Sequence, residues 1–377
     1  MMQLMWLPRP SILIPALLVA AGCASTGTLD TAVPVAEPTA PDCRVVRATG
    51  DVTALLRSSG ELVIVGGGVE LLRSRDLGQS WRREDLVLNC RWPDVTEVAG
   101  RLVVSCFERG APGRLLVMAE DPGNGWSAPV VVDVTAELII DTNLQDVPGD
   151  AILLFATHID RPDDLDHAVY TIRAYRSVDG GGSWSGAEKV VVGRRGEHLE
   201  DTRSVLLGDG TLLLAYELEV AEAAASKVHQ RRSVDGGRSW STELVIWSGG
   251  DVEPGGYVLF ADGELWFVAS SDELTGGGSY DRASILTRRS ADDGQSWSAP
   301  ELLVDLEDQI SFGGVVLPGD EILLPSLRHY NERKRRQLSL YVVNRDRTHG
   351  ARCASVPISA DSFEGGLGPQ WRRPTSP

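Results

Sequence analysis

The sequence has 377 residues, of which 42% are hydrophobic, and its 53 acidic and 36 basic side chains give a formal net charge of −17. So acidic a surface repels polyanions, which excludes nucleic acid as a partner. The histidines form no HExxH motif, the cysteine spacing suits no zinc site, and the sequence contains no phosphate-binding loop or dinucleotide fingerprint. We therefore predict neither a metal nor a cofactor.

The N-terminus has the pattern of an export signal. Arg9 supplies a positive charge, and the apolar stretch SILIPALLVA at 11–20 is too short to span a bilayer. The segment LVAAGC, which ends at Cys23, resembles the lipobox of bacterial lipoproteins, in which the cysteine is lipidated. Ala24 after it resembles the pattern sorted to the outer membrane. The alternative is an ordinary secretory signal with a chance cysteine.

An eight-residue motif recurs along the rest of the chain. SRDLGQSW, AEDPGNGW, SVDGGGSW, SVDGGRSW and SADDGQSW begin at residues 74, 119, 177, 233 and 290. This spacing is typical of propeller blades. We expect the Asp to accept hydrogen bonds from turn N–H groups, the Gly to adopt positive φ, and the Trp to pack between sheets with its indole N–H kept for a partner. The residues predicted to have this structural role are Asp76, Trp81, Asp121, Trp126, Asp179, Trp184, Asp235, Trp240, Asp292 and Trp297.

Between the motifs lie pairs of apolar strands joined by a Gly- or Asp-containing turn, such as SVLLGDGTLLLAY and YVLFADGELWFVA. Six such hairpins occur, each followed by a third and a fourth strand. They predict an all-β fold, a six-bladed β-propeller of four-stranded antiparallel blades. RVVRA at 44–48 and CASVPI at 353–358 are the strands available to join the first and last blades.

The eight-residue motif resembles the Asp-box, or BNR repeat, of sialidases and related propellers, and the resemblance extends from about residue 43 to residue 344. It implies a sialidase-like fold but is less specific for activity, because Asp-boxes also occur in other glycosidases, sorting receptors and assembly factors. We divide the chain into a lipoprotein signal at 1–22, a flexible tether at 23–42, the propeller at 43–358 and a tail at 359–377.

Four cysteines remain after Cys23, and in an exported protein they predict two disulfides. Cys90 and Cys106 flank the second hairpin, so we pair them. Cys43 and Cys353, at the two ends of the ring, form the second predicted pair.

Functional residues are predicted on one face of the ring. We name the strands of a blade a to d from the axis outward; the Asp-box turns then lie on the bottom face, and the long polar b–c loops lie on the top face. Glu200, Asp201 and Glu253 are the candidate catalytic acid and base, since glycoside hydrolysis needs two carboxyl groups. The candidate substrate-binding residues are Arg203, Tyr257, Arg328 and Tyr330. The alternative is a set of solvated rim charges.

The sequence departs from the sialidase pattern in three places. RVVRATGDV replaces the Arg-Ile-Pro segment, and the short connection GGGVELLR at 66–73 lacks the general-acid Asp. Phe312 stands where the resemblance implies the nucleophilic Tyr, while Glu200 or Asp201 matches the activating Glu. Tyr257, Tyr280 or Tyr330 would have to supply a displaced nucleophile.

We therefore predict a monomeric, envelope-anchored propeller, lipid-anchored through Cys23 and sorted to the outer membrane, that recognises glycans and has altered or absent sialidase machinery. One alternative is an active exo-glycosidase, of exo-α-sialidase or a related type, that uses Glu200, Asp201 and Glu253. Another is a protein-binding scaffold for envelope assembly. The aspartates of 160–166 lack the glycine and terminal glutamate of a calcium loop and are expected to be hydrated.

Overall fold

A computed structural model describes residues 44–48, 52–66, 70–86, 90–121, 123–220, 226–250, 252–274, 284–305, 309–311, 313–329, 336–346 and 352–353. All structural statements below concern these residues. Among them, no helix is long and apolar enough to cross a membrane.

The described residues form six antiparallel sheets, which are the blades of a propeller. Blade 1 contains β2 (Val52–Leu56), β3 (Leu62–Gly66), β4 (Glu70–Ser74) and β5 (Arg82–Asp85). Blade 2 contains β6 (Arg91–Val98), β7 (Arg101–Glu108), β8 (Gly113–Asp121) and β10 (Val130–Thr135), with the short β9 (Gly125–Trp126) beside β8. Blade 3 contains β11 (Leu138–Val147), β12 (Ala151–Ile159), β13 (Tyr170–Ser177) and β14 (Glu188–Val192), with a single 3-10 turn at Leu165–His167.

Blade 4 contains β15 (Glu197–Leu206), β16 (Leu212–Val220), β17 (Lys227–Ser233) and β18 (Leu244–Trp247). Blade 5 contains β19 (Val252–Leu259), β20 (Leu265–Ser271), β21 (Ser284–Ser290) and β22 (Glu301–Val304). Blade 6 contains β23 (Gln309–Ser311), β24 (Val315–Leu317), β25 (Glu321–His329) and β26 (Arg336–Asn344), with β1 (Arg44–Ala48) and β27 (Arg352–Cys353) on its outer edge.

The order of strands confirms the predicted six-bladed propeller. Within each blade, strands that follow one another in sequence pair with one another, so strand a is innermost and strand d is outermost. The innermost strands also contact their counterparts in the neighbouring blades, and the series β2, β6, β11, β15, β19, β23/β24 closes back on β2. This closed series surrounds the axis of the ring.

The N-terminal strand closes the ring. β1 pairs antiparallel with β26, from Arg44 opposite Ser339 to Ala48 opposite Arg336, and so becomes the outer strand of blade 6. The C-terminal strand β27 lies on the same strand, with Cys353 opposite Tyr341. The predicted strand 44–48 is thus used for closure as the fourth strand of the last blade, whereas 354–358 of the other predicted segment lie outside the described residues. Cys43 lies outside the described residues, and the Cys43–Cys353 bond stays a prediction.

The hydrophobic core lies between the blades rather than inside any one sheet. Strand β12 is buried along its whole length, because both faces of a middle strand meet a neighbouring blade. Between blades 3 and 4, Phe155 and Tyr216 share one apolar cluster with Trp240, whose ring meets that of Phe155 edge to face at 5.8 Å between centroids. Such burial of large aromatic side chains fixes the angle between neighbouring blades.

The Asp-box turns are held by their own polar side chains. In the blade 3 motif, Asp179 accepts hydrogen bonds from the Ser183 N–H at 2.8 Å, the Ser183 hydroxyl at 2.6 Å and the Ser177 hydroxyl at 2.8 Å. These donors lower the pKa of Asp179 to about 2. Gly181 has φ of +94°, which the turn requires and most other residues avoid. The turns lie on the bottom face, where Arg101 at the start of β7 donates to the Gly180 carbonyl oxygen.

The tryptophan of the motif differs from the prediction in one respect. The Trp184 indole N–H donates to the Gly181 carbonyl oxygen at 3.1 Å, and that of Trp126 donates to Glu84 at 2.7 Å. The indole nitrogens of Trp81, Trp240 and Trp297 are buried without a hydrogen-bond partner among the described residues. Packing of the ring, rather than a bond to its N–H, is therefore the shared contribution of this position.

The disulfide between Cys90 and Cys106 is present, which confirms this pairing. The two residues are not directly opposed in the sheet, because Arg91 pairs with Phe107 and the register then shifts before Asp94. Their Cα atoms are nevertheless only 5.6 Å apart. The bond therefore joins the start of β6 diagonally to β7.

Candidate functional site

The inner strands of blades 2 to 5 each carry a β-bulge toward the top face. The regular pairing shifts between Arg91 and Asp94, Ile139 and Asp141, Glu200 and Arg203, and Pro254 and Gly256. A bulge places an extra residue in one strand and redirects the side chains beside it. Four bulges in neighbouring inner strands therefore create a layer of redirected side chains around the axis.

Two buried aspartates in this layer connect successive blades. Asp94 of blade 2 accepts hydrogen bonds from Asn143 Nδ2 at 3.1 Å and from the Leu144 N–H at 2.5 Å, both in blade 3. In the same way, Asp141 of blade 3 accepts the Thr202 N–H of blade 4 at 2.5 Å. Because an inner strand pairs with only one neighbour, and a bulge interrupts that pairing, some of its backbone N–H groups have no strand partner; these carboxylates satisfy such donors.

Arg203 extends this chain of contacts into blade 5. Its guanidinium donates to Asp141 Oδ1 at 3.4 Å, to the Thr202 carbonyl oxygen at 2.9 Å and to the Gly255 carbonyl oxygen at 3.1 Å. Asp201, whose φ is +48°, lies within 3.5 Å of the same guanidinium. Arg203 is thereby fixed in position by blades 3, 4 and 5.

A cluster of carboxyl groups lies beside Arg203 at the boundary between blades 4 and 5. Its buried member is Glu217 of β16, which is only 6% exposed and lies directly opposite Glu200 of β15. Burial, followed by repulsion from Asp201, Glu253 and Glu200, raises the pKa of Glu217 to about 10, although a hydrogen bond with Ser226 opposes the shift. These effects together favour the protonated form of the Glu217 carboxyl group.

Ser226 fixes the geometry of this cluster. Its hydroxyl donates to the Val252 carbonyl oxygen at 2.9 Å and accepts the Val252 N–H at 3.2 Å, while it also contacts Glu217. Glu253 follows Val252 directly in β19. The serine thus links the acid of blade 4 to the start of the strand that carries Glu253.

This arrangement has the chemical elements of acid and base catalysis. A carboxyl group that keeps its proton at neutral pH can donate that proton to a leaving oxygen. A second carboxylate nearby, from Asp201 or Glu253, can act as base or nucleophile. In the described part of the chain, no group of three or more His, Cys, Asp and Glu side chains is placed to hold a metal ion.

The structure brings together the predicted residues Glu200, Asp201, Glu253 and Arg203. Arg328 lies near the top end of β25, with its backbone opposite Gln309, but its side chain lies outside the described part of the structure. Phe312, Tyr280 and Tyr330 also lie outside the described residues. Their predicted roles stay predictions.

Tyr257 is placed differently from the prediction. Its ring lies at 5.0 Å from that of Phe267 and at 6.2 Å from that of Trp297, and its hydroxyl donates to Gln230 at 3.0 Å. The side chain packs between blades 4 and 5, and burial raises its pKa well above the usual range. The structure thus gives Tyr257 a packing position instead of one on the top rim, because the bulge after Pro254 changes the face to which it points.

Glu217 was absent from the predicted catalytic residues. The available signal was its position in β16, LLLAYELEV, where residues 212–216 are all buried and a carboxyl group follows in the same strand. An ionisable residue in a middle strand of a propeller is costly unless it has a partner or a function.

Comparisons with known proteins agree with this architecture. The profile of the BNR repeat-like domain family matches residues 112–350. No curated protein matches the sequence.

Several solved structures share the fold at low identity. An α-L-arabinanase of Penicillium chrysogenum, solved with arabinobiose, superposes with a TM-score of 0.59 at 14% identity, over 81% of this chain and 96% of the enzyme. The NanB sialidase of Streptococcus pneumoniae gives 0.57 at 10% identity, over 84% of this chain and 72% of the sialidase. A Dyadobacter fermentans protein of unknown function gives 0.59 at 13% identity, over 79% and 97% of the two chains.

Proposed function

The chain belongs to the family of BNR repeat-like domains, and we propose that it is a glycan-directed propeller that cleaves glycosidic bonds with altered sialidase machinery. The arrangement that supports this proposal is the buried Glu217 beside Asp201 and Glu253, next to the fixed Arg203. An arabinanase and a sialidase have the same fold, which supports a carbohydrate substrate.

In the proposed mechanism, Glu217 is the general acid. It protonates the glycosidic oxygen of the leaving group, while Asp201 or Glu253 attacks the anomeric carbon or activates a water molecule. Ser226 orients Glu217 through the contacts described above. This route needs no tyrosine nucleophile, so it is compatible with the phenylalanine at position 312.

The cellular setting is a separate part of the proposal. We infer from the LVAAGC segment that Cys23 is lipidated and holds a monomeric propeller at the outer membrane, where extracellular glycans are accessible. Mass spectrometry of the intact mature protein would detect the acyl groups at Cys23.

The catalytic proposal is tested by hydrolysis of a panel of fluorogenic glycosides that includes an α-sialoside and an α-L-arabinofuranoside. We expect turnover of one class, and a loss of about 10²- to 10⁴-fold in Glu217→Gln and in Glu253→Gln. Glu219→Gln is the matched control, because Glu219 is an exposed residue two positions further along β16. Undiminished turnover in Glu217→Gln would contradict the assigned acid. If the wild type hydrolyses no glycoside of the panel but still binds glycans, the protein is a glycan-binding propeller without this activity.

A further inference from the structure

A second group of side chains lies on the top rim of blade 2, at the start of β6 and just after the end of β7. Trp92 has φ of +51°, a conformation that a bulky side chain rarely adopts. It is held there from blade 3, because the Thr142 hydroxyl donates to the Trp92 carbonyl oxygen at 2.6 Å. Backbone strain of this kind persists where the surrounding structure enforces it, and it is concentrated at functional sites.

The Trp92 ring lies between the ring of Phe107 and the guanidinium of Arg109. It stacks on the buried ring of Phe107, with 6.4 Å between centroids and 27° between planes. Gly113 makes room for Phe107, since a Cβ atom there would lie 2.4 Å from the ring. The guanidinium carbon of Arg109 lies over Trp92 at 5.3 Å from the ring centroid. Trp92 thus orients a guanidinium at the surface.

A second guanidinium lies close by, and among the described residues it has no neutralising carboxylate. Arg91, directly opposite Phe107 in the sheet, is near enough that it lowers the pKa of Arg109, in addition to the larger effect of desolvation. No carboxylate of the described residues forms an ion pair with Arg91 or Arg109. By contrast, Arg114 at the other side of the same b–c loop pairs with Glu108 at 2.5 Å. Two like charges therefore lie near each other on a chain whose net charge is −17.

We propose that Trp92, Arg109 and Arg91 form an anion-binding subsite, which takes a sulfate or carboxylate group on a sugar unit of the glycan. An anion between the two guanidinium groups would receive charged hydrogen bonds and relieve their mutual repulsion. Because this rim belongs to blade 2 and the carboxyl cluster to blades 4 and 5, the acidic group of the glycan would be held apart from the cluster that repels it. That the anion is carried by a glycan rests on the proposed function; the anion site itself does not.

The test compares three hexasaccharide probes by calorimetry with the full chain: a chondroitin sulfate, its desulfated form, which keeps the carboxylates, and the neutral hexa-N-acetylchitohexaose. We expect at least one acidic probe to bind about tenfold or more tightly than the neutral one, and the Arg91→Gln/Arg109→Gln variant to lose this preference. The two acidic probes distinguish sulfate from carboxylate. The control is Arg75→Gln/Arg238→Gln, which removes two charges from bottom-face turns. A wild type without the preference, or a double variant that keeps it, would overturn the proposal.

A second measurement separates this proposal from the catalytic one. Inorganic sulfate is titrated while the indole N–H resonance of Trp92 is followed by NMR, with Trp92→Phe for assignment. A saturable shift in the wild type that is absent from Arg91→Gln/Arg109→Gln supports the anion site even if no glycan is cleaved. The Glu217→Gln variant should keep both the shift and the probe preference. Absence of a shift in the wild type would count against the site.

Discussion

Glu217 lies directly opposite Glu200 across the β15–β16 pair, which places two carboxyl side chains at facing positions of neighbouring strands. Two ionised carboxylates at such positions would repel each other. We expect the fold to tolerate the pair because burial of Glu217, which is 6% exposed, favours its neutral form. The same protonation supplies the proposed proton donor.

Stability should therefore fall with rising pH because of Glu217. Its pKa rises from an ordinary value of 4.5 to about 10 in the folded chain, so between these values the unfolded chain releases a proton that the folded chain keeps. The neutral variant Glu217→Gln lacks this loss. We expect it to be more stable than the wild type at pH 8 to 9, by a margin that shrinks toward pH 4.5, as measured by urea unfolding. Glu219→Gln should show no such pH-dependent gain; a gain of the same size there would show that the effect is general.

The Asp-box of blade 3 should contribute more to stability than the degenerate one of blade 2. Asp179 accepts three hydrogen bonds from Ser177 and Ser183, whereas the Asp121 carboxylate is bonded to the Asn124 side chain at 3.1 Å. We expect Asp179→Ala to lower Tm more than Asp121→Ala. The pKa of Asp179 is depressed from 3.8 to about 2, so its contribution is present above pH 4 and is lost as the pH falls to 2. Equal losses in the two variants at pH 7 would contradict this ranking.

His158 should make the protein sensitive to mild acid. It is 1% exposed between blades 2 and 3, with Nδ1 at 2.9 Å from Glu137 and Nε2 at 3.0 Å from the Tyr175 hydroxyl. Desolvation first, and then Arg173, lowers the pKa of His158 to about 4 from 6.5. As the pH falls from 6.5 to 4, the unfolded chain therefore gains a proton that the folded chain does not, and stability is lost.

The variant His158→Gln should flatten this part of the pH profile of Tm. His167→Gln is the control, because His167 is exposed in the 3-10 turn. If Tm of His158→Gln falls between pH 6.5 and pH 4 as much as that of the wild type, other groups cause the loss of stability.

The Cys90–Cys106 bond should stabilise the fold measurably. It spans a sequence separation of 16 residues, for which the loop-entropy relation gives about 3 kcal/mol. We expect Cys106→Ser and the double serine variant to lose equal stability, and the wild type to lose the same amount under reducing conditions. Alkylation of both cysteines in unreduced, denatured wild type would contradict the bond.

The fold was accessible from the sequence because its signals are local. Each Asp-box turn is closed by side chains within a few residues of one another, such as Asp179 with Ser177 and Ser183. The motif alone therefore predicts the turn. The alternation and turns of the hairpins then fix the blade count. Even the closing strand 44–48 could be predicted, since a ring must join its ends.

The candidate site was only partly accessible, and the bulges explain why. A bulge depends on pairing with another strand, and a one-residue shift exchanges the two faces of the sheet. Asp201 and Glu253 were found from their place at strand tops, but Tyr257 lies beyond the bulge of β19 and points between blades. Glu217 lies in an otherwise apolar stretch, where its partners come from two other strands and a loop.

The protonation state of Glu217 tests the proposed general acid most directly. Its side-chain carboxyl carbon can be followed by ¹³C NMR from pH 4 to pH 10, with Glu217→Gln used to assign the resonance. We expect a neutral carboxylic acid at pH 7, which titrates with a pKa of about 10. A carboxylate already ionised at pH 6 would remove the proposed proton donor and contradict the catalytic assignment.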